Sequence, residues 1–240
     1  RAILFSNPGN PTGVVYSEEE MFLLRSLALD YELYLIGDEV YREFVYDDTK
    51  PLSVLNLPGV EDRAIMVDSI SKRYSACGAR VGCVVSRNSE FMATMLKFGQ
   101  ARLCPPTIDQ LAAQNAAKIP DTYFEQVRQE YRQRRDVLGA ELKKIPGVEF
   151  VMPRGAFYLI AKLPVPDAEE FAIFLLNEFD LDKETVMLAP ANGFYITPGM
   201  GKSEVRIAYV LRCEDLIRAV RVLKAGIEAF ANRKVAGCRG

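Results

Sequence analysis

The chain has 240 residues, a formal charge of −2 and no histidine, so it can build neither a serine–histidine triad nor a histidine-ligated metal on its own. Proton transfer near neutral pH falls to a lysine, a tyrosine, a carboxylate or a cofactor. With 49% hydrophobic and 26% charged residues the composition is that of an ordinary globular protein, its charge points to neither nucleic acid nor an anionic membrane as partner, and no apolar run approaches the ~20 residues that span a bilayer.

Five cysteines (Cys77, Cys83, Cys104, Cys213 and Cys238) form no Cys-x-x-Cys pair, and their odd number points to a reducing, cytoplasmic setting. The chain enters a strand at once with Arg1-Ala2-Ile3-Leu4-Phe5, which reads as the middle of a longer protein. Residues 2–5 predict a buried strand, and the proline- and glycine-rich Ser6-Asn7-Pro8-Gly9-Asn10-Pro11-Thr12-Gly13 a rigid loop. Ser17 with Glu20 three residues on is a capping box that opens a helix to about Asp30. Residues 33–36 predict a second strand ending at Gly37-Asp38-Glu39, followed by a polar loop at 47–50. Residues 64–67 are a third, leading into Ser69-Ile70-Ser71-Lys72, and 81–85 a fourth.

The loops after the first three strands carry Asn10, Asp38 and Lys72, each just past a carboxyl end. In open α/β sheets, ligands bind there. Spacing predicts helices over 89–100 and 108–117, separated by Cys104-Pro105-Pro106-Thr107, then a long helix from Asp121 to about Ile145. A domain boundary within that helix gives a sheet domain at 1–130 and an α+β domain at 131–240. In the latter, strands are expected at 149–152, 156–163, 186–188, 194–195 and 204–210, with helices at 167–179 and 214–231.

As chemical groups, Lys72 can condense with a cofactor aldehyde and shuttle a proton. Arg80 and Ser69 can hold a phosphate, the glycine and alanine flanks of Arg80 favouring close approach over exposure. Asp38 can pair with a protonated pyridine nitrogen or, more simply, cap the segment beginning at Glu39. Tyr41 can offer its phenol to the same ring or pack in the core. Arg206, inside Glu204-Val205-Arg206-Ile207-Ala208-Tyr209-Val210, lies on the face opposite Val205 and Ile207. Its guanidinium suits a substrate carboxylate or an internal glutamate.

Taken together, Asn7-Pro8-Gly9-Asn10-Pro11-Thr12-Gly13, Asp38-Glu39-Val40-Tyr41, Ser69-Ile70-Ser71-Lys72, Arg80-Val81-Gly82 and Arg206-Ile207 resemble, in order and rough spacing, the class I/II aminotransferases. These are pyridoxal-phosphate enzymes of fold type I, and the wording is most similar to bacterial aspartate aminotransferases. The resemblance covers the whole chain but only the C-terminal part of such enzymes. It implies an α/β fold: part of the mostly parallel large-domain sheet, then a C-terminal α+β small domain. It implies pyridoxal 5'-phosphate as cofactor, Lys72 as the Schiff-base lysine, Asp38 at the ring nitrogen, Tyr41 and Asn10 at the ring hydroxyl oxygen, Ser69 and Arg80 on the phosphate, and Arg206 on the substrate α-carboxylate. Amino transfer from an amino acid such as aspartate to a 2-oxo acid such as 2-oxoglutarate would follow, in a homodimer. The part of the family pattern absent here supplies a glycine-rich phosphate turn, an aromatic ring stacked on the cofactor and groups that reach the neighbouring subunit. The same residues fit a carbon–sulfur lyase, a decarboxylase or a non-catalytic regulator domain. A nicotinamide dehydrogenase fails for want of a Gly-x-Gly-x-x-Gly turn after a strand.

Overall fold

The computed structural model describes residues 1–47 and 50–237, so Asp48 and Thr49 of the expected polar loop, and Cys238, lie outside it. The described residues form two compact units. The first comprises Arg1–Asn10, Val14–Arg128 and Arg154–Ala156, and the second Pro11–Gly13, Gln129–Pro153 and the residues from Phe157 onward.

The first unit is built on a four-stranded sheet of β1 (Ala2–Ser6), β2 (Tyr34–Asp38), β3 (Ala64–Ser69) and β4 (Gly82–Ser86), in that spatial order. β1, β2 and β3 run parallel, with Ser6 opposite Asp38 and Asp38 opposite Val67. Their carboxyl ends therefore fall at one edge. β4 runs antiparallel, with Gly82 opposite Ser69, so its amino end comes to that same edge. Apolar periodicity carries no strand direction, and this reversal is what brings Arg80 to the edge from the opposite side of the chain.

Helix α1 (Glu18–Asp30) covers one face. Its capping box is complete: Glu20 N donates to Ser17 Oγ at 3.2 Å and Ser17 N donates to Glu20 Oε2 at 2.7 Å. Met21 and Ala28, seven residues apart and so on one helical face, are fully buried with Phe5, Leu35, Val54, Leu57, Ala64 and Met66. Gly37 packs closely in this layer, where a Cβ would lie 3.1 Å from Val54 Cγ1. Lys72 sits on the one-turn helix α2 (Ile70–Arg73), followed by α3 (Ser89–Arg102) and α4 (Thr107–Ala116). The segment 154–156 lies against the loops of this unit. Val45 bridges Gly155, and Ala156 N donates to Phe44 O at 2.9 Å. The approach is close enough that a Cβ on Gly155 would meet Pro8 and Val15 at 2.7 Å.

The long helix α5 (Asp121–Leu142) contributes to both units, dividing after Arg128. The second unit carries an antiparallel sheet in the order β5 (Glu149–Phe150), β6 (Tyr158–Lys162), β8 (Glu204–Ala208), β7 (Ala189–Pro190). Helices α6 (Ala168–Asn177) and α7 (Cys213–Gly237) pack on it through Phe171, Phe174 and Phe230, whose ring centres lie 5.3 Å apart in the two pairs involving Phe230. Two expectations fail here. The expected strand at 194–195 is instead the end of a single 3-10 turn, Asn192–Phe194. Asn192 Oδ1 accepts from Gly193 N at 2.9 Å, and a side chain that bonds its own backbone competes with the ladder. The expected strand at 186–188 pairs only further on, at the edge strand β7, where Pro190 is tolerated.

Candidate active site

The residues singled out in the sequence fall into two groups. Asn10, Asp38, Tyr41, Ser69, Lys72 and Arg80 belong to the first unit, at or just beyond the strand ends described above. Arg206 belongs to the second.

Lys72 is half-buried, and its Nζ lies 6.0 Å from the centre of the Tyr41 ring. It also lies 3.9 Å from Cys77 Sγ. Tyr41 itself is 3% exposed and meets Phe44 edge-on, so its ring is fixed by packing while one face remains toward the amine. Asp38 closes β2. Its carbonyl accepts from Asn7 N at 3.0 Å, and its Oδ1 accepts from Val40 N at 3.2 Å, so it does cap the turn that follows. Ser69 ends β3 and begins α2, with its Oγ accepting from Ser71 N at 3.2 Å. Asn10 is exposed, in a loop closed by Gly9 N donating to Val14 O at 2.8 Å and anchored by buried Asn7, whose Oδ1 accepts from Tyr16 N at 3.0 Å.

Arg80 departs from expectation. It is exposed despite its small-residue flanks, and it rather than a glycine takes the left-handed conformation, with φ of 56°. A non-glycine residue held there costs about 1–2 kcal/mol. The turn that reverses the chain from Cys77–Ala79 into β4 demands it, and Arg80 Nη1 donates to Cys77 O at 3.1 Å.

In the second unit, Arg206 stands on the opposite face of β8 from fully buried Val205. Its guanidinium carbon lies 4.7 Å from the Tyr158 ring centre and 5.2 Å from that of Phe194. It lines an open cleft of about 1020 Å³ together with Met187, Leu188, Leu216 and Arg218.

Three charged residues of the first unit were missed in the sequence. Glu39 is 4% exposed and bridges to the 3-10 turn Val54–Asn56, its Oε1 accepting from Ser53 Oγ at 2.8 Å and Val54 N at 2.7 Å. Burial pushes its carboxyl above the usual 4.5 despite those bonds. A carboxyl raised in the folded state stabilises fully below its unfolded value, and that contribution is lost as pH rises through the folded value. Glu39→Gln keeps an acceptor oxygen and cannot ionise. Its melting temperature is therefore expected to gain on the wild type as pH rises from about 4 to about 8, in thermal scans of both proteins; parallel curves would refute the assignment. Asp68 and Arg73, the other two, flank the lysine helix. Asp68 Oδ2 accepts from Arg73 Nη2 at 2.5 Å, and burial pushes the Asp68 carboxyl upward against the pull of that guanidinium. The signal in the sequence is a carboxylate interrupting an apolar strand five residues before an arginine.

The donor set at this edge is an amine, a phenol, a carboxylate, a hydroxyl and a guanidinium. These groups suit the aldehyde, ring nitrogen, ring hydroxyl and phosphate of an aldehyde-bearing, phosphorylated pyridine, so the residues present fit part of the cradle of pyridoxal phosphate.

The model of the aminotransferase class I and II family matches residues 1–223. The chain is 36% identical over 236 residues to an aspartate aminotransferase of Thermotoga maritima, covering 98% of this chain and 57% of that protein. It is 33% identical over 236 residues to a probable aspartate/prephenate aminotransferase of Aquifex aeolicus, covering 95% of this chain and 57% of the relative. Among solved structures, the Thermotoga maritima aspartate aminotransferase superposes with a TM-score of 0.81 at 32% identity, over 95% of this chain and 56% of that one. N-Succinyldiaminopimelate aminotransferase from Mycobacterium tuberculosis gives 0.85 at 26% identity, over 94% and 58%. The chain thus spans a little over half the length of the relatives it matches.

Proposed function

The chain belongs to the class I and II aminotransferases, pyridoxal-phosphate enzymes of fold type I, and from that premise we propose that its sheet edge holds the cofactor and moves an amino group from an amino acid to a 2-oxo acid. The observation that supports this most is the gathering of Asp38, Tyr41, Ser69, Lys72 and Arg80 at one edge of a single sheet, with Lys72 Nζ 6.0 Å from the Tyr41 ring.

When bound, pyridoxal phosphate supplies an aldehyde for the amino group and a ring that draws electrons from the neighbouring carbon. Lys72 Nζ would tether the cofactor and would hold or move the proton at the substrate α-carbon, a duty no histidine is present to take. Asp38 holds the pyridine nitrogen protonated. Tyr41 and Asn10 hydrogen-bond the ring hydroxyl oxygen. Ser69 and Arg80 bind the phosphate, Arg80 from a backbone already set in its left-handed turn. Arg206 grips the substrate α-carboxylate, its guanidinium steadied flat by Tyr158 and Phe194.

Aspartate as donor and 2-oxoglutarate as acceptor are the substrates we assign, in keeping with the names of several relatives. A cytoplasmic homodimer is the working form we assign to the full protein. Domain roles follow: residues 1–130 as the C-terminal portion of the cofactor-binding domain, and 131–240 as the small domain. The test is turnover of purified protein with pyridoxal phosphate, aspartate and 2-oxoglutarate, following oxaloacetate and glutamate together. Equal appearance of both is the expected result. Ammonia or carbon dioxide released with no glutamate formed would replace transfer by a lyase or decarboxylase reaction.

A further inference from the structure

Lys72 rides on a helix of one turn. Four residues make too short a helix to hold itself: the first turn fixes several dihedrals for a single hydrogen bond. Something outside the helix must set the direction of the lysine. Ser69 Oγ does part of this at the entrance, accepting from Ser71 N. Ile70 N, donating to Val81 O at 3.2 Å, and Cys77 Sγ, donating to Ser71 O at 3.1 Å, add to it, and a carboxylate reaches across the whole turn. Asp68, 8% exposed, accepts from Ser69 N through Oδ1 at 2.7 Å and from Arg73 Nη2 through Oδ2 at 2.5 Å. One buried side chain therefore ties the residue before the helix to its last residue, with Lys72 between them.

Arg73 extends the tie. Its Nε is buried, has no hydrogen-bond partner among the described residues, and faces Glu43 Oε1 at 3.6 Å. Glu43 lies two residues beyond Tyr41, on the same loop. The line Asp68–Arg73–Glu43 thus joins the helix that carries the lysine to the loop that carries the phenol.

We propose that Asp68 and Arg73 are positioning residues that hold Lys72 Nζ in the direction from which it meets the cofactor aldehyde. The proposal rests on Lys72 being the cofactor lysine. Arg73 cannot itself attack an aldehyde, since its guanidinium stays protonated, so it acts only through its neighbour.

The test compares wild type, Arg73→Met, Arg73→Lys and Asp68→Asn. Each protein is incubated with pyridoxal phosphate and reduced with borohydride at intervals. Lys72 labelling is counted by peptide mass spectrometry, circular dichroism of the cofactor band reports how rigidly it is held, and melting temperatures are taken without cofactor. The clamp predicts that Arg73→Met labels Lys72 roughly ten- to a hundredfold more slowly and loses band dichroism at a temperature where it remains folded. Arg73→Lys, which keeps a cation for Asp68, should recover part of both. Variants that melt earlier yet label at the wild-type rate with wild-type dichroism overturn the clamp and leave the cofactor reading intact. A wild type that leaves Lys72 unlabelled overturns both. Should Arg73→Met not fold, Asp68→Asn decides in its place, because its amide oxygen can keep the Ser69 contact while its NH2 offers Arg73 neither a charge nor an acceptor.

Discussion

On the proposed reading, Lys72→Ala is expected to remove the absorbance band near the visible edge that pyridoxal phosphate would develop on the protein, and to cut amino transfer by on the order of 10²–10⁴-fold. Both losses trace to one atom. Of the groups named at the sheet edge, the Lys72 amine alone is a nitrogen nucleophile that can condense with an aldehyde. Tyr41 is a phenol held by packing, Arg80 remains protonated, and Asp38 is a carboxylate engaged with Val40 N. Surface lysines also react with aldehydes, so the measurement is made against Lys72→Arg, which keeps the charge and the length but not the nucleophile. A band that persists in both variants at wild-type intensity would mean the cofactor lysine lies elsewhere.

The site was legible in the sequence to the extent that it is written in strand ends. Each of the first three strands is an apolar run that stops at a polar residue, and parallel strands bring such stops to one edge without further information. Ser17 and Glu20 announced α1 in the same local way, since both halves of a capping box lie within four residues. What stayed hidden depends on contacts distant in sequence or on direction. Nothing in residues 81–85 reveals that β4 runs antiparallel, yet Arg80 reaches the edge only because it does. The written motif gives no sign that Glu39 holds Ser53 and Val54, fourteen and fifteen residues on. Small flanks around Arg80 suggested burial. The turn instead needed a left-handed residue at Arg80 itself, and the side chain emerged exposed.

The proposed cofactor groups Asp38, Tyr41, Ser69, Lys72 and Arg80 belong to the first unit, at or after the ends of its parallel strands or before β4. The second offers Arg206 from the middle of an antiparallel strand, where period-two alternation fixes its face and two rings flatten its guanidinium. An arginine on a strand is directed by the pleat, whereas a lysine on a one-turn helix needs outside support, and the surroundings differ accordingly: Asp68 and Arg73 flank Lys72, while aromatic rings lie against Arg206.

Asp38→Asn separates two explanations of the same carboxylate. If Asp38 serves only to cap the turn after β2, asparagine replaces it at little cost, because its side-chain oxygen still accepts from Val40 N as Oδ1 does at 3.2 Å. If its charge keeps a pyridine nitrogen protonated, the amide fails however well it fits, since it cannot stabilise a cation. The expected result is therefore an unchanged melting temperature without cofactor and a fall in transfer rate on the order of 10²–10³-fold, the scale of losing one partner from an enclosed ion pair. The loss should fall mainly on kcat rather than KM, because the charge of Asp38 would matter to the reacting complex rather than to docking of the substrate. Asp38→Glu retains the charge but displaces it by one methylene, and should lie between the two. A wild-type kcat in Asp38→Asn would leave Asp38 with the turn alone and return the ring nitrogen to an unassigned partner.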